Sequence, residues 1–194
     1  EQLVIYFAGH GFLRHNSEFW LLSKAPNSSK EAVNVPASVE LARRCGIPSV
    51  VIISDACRST DGSMTAQGVE GAPIFPNVDD AGGDVTVDRL FAARPGEQAL
   101  ELVLAEGGRL EGLFTDLLLG AYSDPPPSLV TRLVPQGLDV ITNRRLRSHF
   151  PGAALAKLAE RKLPKRQEPQ LIIESDEPVY VARADTSKLQ FEGT

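Results

Sequence analysis

Two side chains in this sequence, His10 and Cys57, have the chemistry for acyl transfer, and they stand 47 residues apart. A free thiol has a pKa of about 8.5 and is mostly protonated near neutrality; an adjacent imidazole takes that proton and leaves a thiolate nucleophile. What singles the two out is what precedes each of them. Cys57 follows Ser49-Val50-Val51-Ile52-Ile53-Ser54-Asp55-Ala56, and His10 follows Leu3-Val4-Ile5-Tyr6-Phe7-Ala8-Gly9. Both runs are short, apolar and rich in β-branched residues, the pattern of strands buried on both faces in the middle of a parallel sheet. In open α/β sheets ligands bind beyond the carboxyl ends of the strands. If the two strands are parallel neighbours, imidazole and thiol face each other across a short gap. A separation of 47 residues leaves room for a crossover helix and an extra loop.

Tyr6-Phe7-Ala8-Gly9-His10-Gly11 followed by Asp55-Ala56-Cys57-Arg58-Ser59 resembles the His and Cys boxes of the caspase-like cysteine peptidases, the group of caspases, metacaspases and bacterial relatives. The caspase signature is Gln-Ala-Cys-[Arg/Gln/Gly]-Gly with its His about 50 residues upstream. The chain keeps Ala56, Cys57 and Arg58 and departs at Asp55 and Ser59; Asp before Ala-Cys is the metacaspase and bacterial form. The resemblance implies an α/β fold of three layers (α/β/α) around a mostly parallel six-stranded sheet in the order 2-1-3-4-5-6. The His strand would be third and the Cys strand fourth. The first two strands have no counterpart here, so Leu3–Phe7 is expected to leave an unpaired apolar edge. The chain is therefore expected to be a piece of a longer protein, completed by a missing N-terminal segment or a partner chain. Within one domain over 1–194, residues 1–59 carry the His and Cys boxes, 60–84 form the inter-subunit loop, and 85–194 resemble the small subunit.

What the resemblance implies for chemistry is a cysteine endopeptidase. Cys57 attacks the scissile carbonyl, His10 protonates the leaving amine and then activates water. The backbone N–H groups of Gly11 and Cys57 would bind the oxyanion. Caspases carry Gln where this chain has Asp55, and take Asp at P1, the substrate residue before the cut. A carboxylate there repels acidic side chains and pairs with Arg or Lys. The chain has Ala8 where metacaspases usually have Ser, and a second pocket Asp would come from the absent part. Arg94-Pro95-Gly96-Glu97-Gln98 resembles the substrate-pocket loop; Glu97 either contributes acid there or is a first-turn helix carboxylate. No Lys or Arg lies between Arg58 and Arg89, so self-cleavage after a basic residue inside that loop is not expected.

Composition narrows the alternatives. A chain of 194 residues suits one domain with a sizeable core. A net charge of −5 argues against a general nucleic-acid binder. No apolar run approaches the roughly 18 residues of a membrane span. Cys45 and Cys57 flank one strand and read as free thiols of a reducing compartment, here the cytoplasm. No further Cys/His set completes a zinc site. Asp79, Asp80, Asp84 and Asp88 read as solvated loop acids able to hold calcium only weakly, so no required metal or other cofactor is expected. The basic stretch from Arg144 to Arg166 reads as a solvated helix face.

Along the chain, Gly11–Asn16 reads as a polar loop and Glu18–Leu22 as an edge strand or hairpin arm. A helix capped by Asn34 or Ser38 should stop near Gly46 and Pro48. Val85–Val87 and Arg89–Ala93 should form the next strand, Gly112–Leu119 a helix ended by Pro125-Pro126-Pro127 and Ala153–Ala159 an amphipathic helix, and Gln167–Ile173 resembles the family's entry to its final strand. Val179–Arg183 would pair with it or finish the sheet. Two other readings stay open: an inactive caspase-like interaction scaffold, and a caspase-like domain of other specificity such as the bacterial separase-like group.

Overall fold

The structure, a computed structural model, describes residues 1–25, 27–77, 82–103, 110–164, 166–176, 178–185 and 187. Asp79 and Asp80 lie outside the described residues. The fold is mixed α/β around a four-stranded, mostly parallel sheet. Strands β1 (Gln2–Gly9), β5 (Ser49–Ala56) and β6 (Thr86–Phe91) run parallel, and β11 (Gln170–Ile172) closes one side antiparallel, in the order β1-β5-β6-β11.

Strand β5 is central, and its Val50, Val51, Ile52 and Ile53 are sealed from solvent. Alternate residues serve opposite faces. Val50 and Ile52, with Val87 and Phe91, pack under helix α1 (Val35–Ala42), whose Val35, Val39 and Ala42 join the same cluster. Val51 and Ile53, with Leu90 and Ala92, pack under α3 (Leu113–Ser123) and α4 (Asn143–Glu160) through Phe114, Leu118, Leu146 and Phe150. The inward residues of α4 are Leu146, Phe150, Ala154 and Leu158, one every four residues, which gives one apolar stripe. Asn34 is the N-cap of α1, accepting from Ala37 N at 3.0 Å; Ser38 instead donates back to Asn34 O.

Residues 11–14 are not a polar loop. They form β2 (Gly11–Arg14), paired antiparallel with β3 (Ser17–Leu21), which pairs in turn with β4 (Ala32–Asn34). Phe12 stacks on Phe19 with ring centroids 5.4 Å apart, and burying two rings outweighs the polar flanks. The segment after Cys57 runs beside β2, with Leu13 N donating to Ser59 O and Asp61 N to Leu13 O. Part of the 60–84 loop is structured: it forms helix α2 (Met64–Gln67), and Arg14 donates to the carbonyls of Ala66, Gln67 and Val69.

The remaining elements among the described residues are a 3-10 turn at Pro127–Leu129 and two short antiparallel pairs, β7 (Glu101–Val103) with β8 (Leu110–Gly112) and β9 (Thr131–Leu133) with β10 (Leu138–Val140). Val179–Arg183 does not form a strand. Val179 and Val181 pack on the core as irregular chain; the carbonyl of Val179 accepts from Asn143 N, and Arg183 makes a single bridge to Val140. Asp88, expected among the loop acids, sits within β6 and is 1% exposed. Its carboxylate accepts from Glu174 N, Ser175 N, Ser175 Oγ and Asn143 Nδ2, so its lone pairs hold the chain between β11 and Val179 rather than a cation.

No helix is long and apolar enough to cross a membrane among the described residues. β1 ends the sheet, and no described strand pairs with its outer edge. On that strand Leu3, Ile5 and Phe7 pack toward α1, while Val4 and Tyr6 on the other face stay 38% and 48% exposed.

Candidate active site

The parallel register of β1 and β5 runs from Gln2 opposite Ser49 to Gly9 opposite Ala56. His10 and Cys57 are therefore the next residue beyond the last pair, side by side at the carboxyl ends of adjacent strands. The register is fixed because β5 is buried and β1 packs Leu3, Ile5 and Phe7 on one face, so a slip of one residue would turn those side chains away from the core. Gly11 sits where any side chain would collide: a Cβ there would stand 2.8 Å from the carbonyl oxygen of Cys57 and 3.0 Å from Ala56 Cβ. A glycine at this point lets the chain beyond His10 lie directly against the chain beyond Ala56.

The two reactive groups do not hydrogen-bond to each other. The Cys57 thiol is partly buried and donates to the carbonyl of Ala99 at 3.6 Å, a weak contact. The imidazole of His10 is exposed and makes no hydrogen bond among the described residues; it lines a hollow of about 480 Å³ with Phe7, Leu21 and Leu22. His10 is held instead by its backbone, whose carbonyl accepts from Leu21 N at 2.9 Å.

Behind Cys57 lies a buried polar assembly that the sequence reading did not single out. Arg58 Nε stands 2.7 Å from Glu18 Oε2, and its Nη1 donates to Ala93 O and to Gln170 Oε1. The guanidinium also lies 4.2 Å above the ring of Phe91. Trp20 Nε1 donates to Glu18 Oε1 and to Ser54 Oγ, and its ring stacks on Phe7 at 4.6 Å. Burial pushes the Glu18 carboxyl up, and the Arg58 cation opposes that rise. Burial likewise lowers Arg58, with Glu18 opposing. A lone acid between β-forming residues in Ser17-Glu18-Phe19-Trp20 is the one trace of this assembly in the sequence.

Asp55 is 7% exposed and lies at the start of α3. The N-cap residue of that helix is Gly112, which has no side chain to cap with, and Asp55 Oδ2 takes the task. It accepts from Thr115 N at 3.1 Å and from Thr115 Oγ1 at 2.5 Å. A Cβ on Gly112 would meet Oδ2 at 2.1 Å, so this approach requires glycine. Burial raises the Asp55 pKa above the ordinary carboxylate value; the Thr115 hydrogen bonds oppose the rise and the Glu101 carboxylate adds to it. Glu101 pairs with Gly112 across β7 and β8, which brings it beside Asp55.

Arg94 and Glu97 belong to a different cluster. Arg94 pairs with Glu168, and Glu97 Oε2 accepts from Arg94 N and Glu168 N, with Arg166 3.9 Å from its other oxygen. The turn holding them is tied to the Cys57 loop through its backbone, Arg58 N to Glu97 O and Gly96 N to Arg58 O. The structure thus groups His10, Gly11, Cys57 and Asp55 at one end of β1 and β5, and turns the Glu97 carboxylate toward Glu168 and Arg166. No three His, Cys, Asp or Glu side chains converge as metal ligands among the described residues. No family model matches this chain, and no curated protein matches it.

Proposed function

We propose that the protein is a cysteine endopeptidase of the caspase-like kind, working through Cys57 and His10 and cutting after Arg or Lys. The observation that supports this reading is the β1–β5 register, which ends at Gly9 opposite Ala56 and so puts His10 and Cys57 next beyond the carboxyl ends of two adjacent parallel strands. In the reaction the His10 imidazole takes the Cys57 proton and the thiolate adds to the scissile carbonyl. The imidazolium then protonates the leaving amine, and His10 activates the water that releases the acyl group. The backbone N–H groups of Gly11 and Cys57 are the proposed oxyanion donors. Asp55 is the proposed partner of the cationic P1 side chain, with proteins or peptides as substrates. The exposed outer edge of β1 is where the two further strands of a six-stranded sheet would add, from an N-terminal segment or a partner chain; neither nucleic acid, membrane nor cofactor is part of this reading.

One observation favours the rival reading of an inactive scaffold: the thiol faces the Ala99 carbonyl and His10 has no hydrogen bond to it. The test is turnover of a P1-varied fluorogenic peptide set by the full-length protein beside Cys57→Ala. Turnover after Arg or Lys that vanishes in the variant supports the peptidase. Turnover only after Asp keeps the dyad and removes Asp55 from the pocket. No turnover, with a thiol inert to iodoacetamide, favours the scaffold.

A further inference from the structure

The carboxylate of Asp55 is held asymmetrically, and the asymmetry has a consequence for what it can bind. Oδ2 accepts two hydrogen bonds, both from Thr115, which fill its two lone pairs. Oδ1 accepts none among the described residues, and it is not sealed from solvent. Thr115 has one hydroxyl proton, and that proton goes to Asp55. The hydroxyl of Tyr6, 2.6 Å from Thr115 Oγ1, must therefore be the donor in its own contact. A directed chain results, from the Tyr6 phenol on β1 to the Thr115 hydroxyl on α3 to the Asp55 carboxylate on β5.

We propose that Thr115, oriented by Tyr6, is a positioning residue that leaves Asp55 a single-oxygen acceptor, so that the site takes lysine and arginine side chains alike. This rests on the peptidase reading given above. The selectivity of a guanidinium over an ammonium comes from two parallel N–H···O bonds to both oxygens of one carboxylate. With Oδ2 saturated, that fork has no second oxygen on Asp55. An ammonium and a guanidinium then each make one charged hydrogen bond to Oδ1.

The same chain favours the ionised carboxylate. The groups acting on Asp55 are Thr115 and the amide of α3, Tyr6 from β1 and Glu101 from β7; Asp116, next along α3, is neutralised by Lys157 at 2.8 Å. Removing the Thr115 hydroxyl removes a donor to the charged form, which moves loss of cation binding to higher pH.

The test is kcat/KM against pH for matched P1-Lys and P1-Arg peptides, in the wild type, Thr115→Val, Thr115→Ser and Tyr6→Phe. Beside it, the Asp55 carboxyl is titrated by NMR in the Cys57→Ala protein and in Cys57→Ala combined with each of those substitutions. The wild type is expected to cut the two peptides within about tenfold of each other. Thr115→Val should move the acid limb and the Asp55 titration to higher pH, Tyr6→Phe should move both less, and Thr115→Ser should restore both. A wild-type preference for Arg above about tenfold, the least that a second charged hydrogen bond would contribute, overturns the inference. So does an Asp55 titration that stays put in Thr115→Val while basic peptides are still cut. No turnover at any P1 removes the peptidase reading and this inference with it.

Discussion

Arg58 and Glu18 meet at 2.7 Å beneath the candidate site, one on the residue after Cys57 and the other on the hairpin that follows His10. They lie 10% and 3% exposed, so the pair is almost fully removed from water. It fastens the loop after Cys57 to the segment after His10, and the Phe7–Trp20 stack fastens that hairpin to β1. The two strand ends are thus fastened to each other through Arg58, Glu18 and Trp20.

Removing one partner of that pair leaves the other buried and uncompensated. Glu18→Ala is expected to cost about 3–5 kcal/mol of stability, and Glu18→Gln less, since the amide oxygen still accepts from Trp20. Urea unfolding measures both. A Glu18→Ala midpoint equal to that of the wild type would show that the pair contributes nothing.

Gly112→Ala places a methyl group where Asp55 Oδ2 now stands. The carboxylate must leave Thr115, so α3 loses its cap while the site is overpacked. The expected loss is about 1–3 kcal/mol. Gly120→Ala is the control: a Cβ there meets nothing within 4 Å, and α3 should gain helix propensity. Thermal melts of the two variants should move in opposite directions.

Asp55→Asn separates the two tasks of this side chain. The amide oxygen keeps both contacts to Thr115, so stability should change by less than about 1 kcal/mol. The charged hydrogen bond to a basic P1 group is lost, at about 1.5–3 kcal/mol, or roughly 10- to 150-fold in kcat/KM. Unchanged turnover of P1-Arg and P1-Lys peptides would remove Asp55 from substrate recognition.

Glu174 joins α1 to the sheet: it accepts from Arg43 at 2.6 and 2.8 Å, from Arg89 at 2.6 Å and from Val87 N. The hydrogen bond from Arg43, more than any other cause, holds its carboxyl below the ordinary glutamate value. A carboxylate depressed in the folded state contributes stability that is present above the unfolded value and lost as pH falls through the folded one. Wild-type stability should therefore fall on acidification below about pH 4.5, and Glu174→Gln should flatten that part of the profile. Equal acid slopes in the two proteins would refute the linkage.

The sequence by itself determined the strands Leu3–Phe7 and Val50–Ser54, a helix capped at Asn34 or Ser38, a helix from Gly112, and the position of His10 and Cys57 just beyond two strands; the first helix stops at Ala42, short of the expected Gly46, and the second runs on to Ser123. Those features are written in neighbouring residues: β-branched apolar runs, a capping Asn34, a proline stop at Pro125. The tertiary structure alone decided what depends on distant partners. Gly11–Arg14 became a strand because Phe12 finds Phe19 and Leu13 finds the chain after Cys57. Asp88 pairs with Val51 inside the sheet, and its buried carboxylate is satisfied there by four donors from Asn143, Glu174 and Ser175. Glu97 turned to Glu168 and Arg166, while Glu101 came beside Asp55. Asp55 acquired a cap to serve because Gly112 has no side chain to serve it with. Local pattern encodes which backbone each segment prefers; where a buried carboxylate spends its lone pairs is set by which donors the fold carries to it, and no spacing along the chain records that.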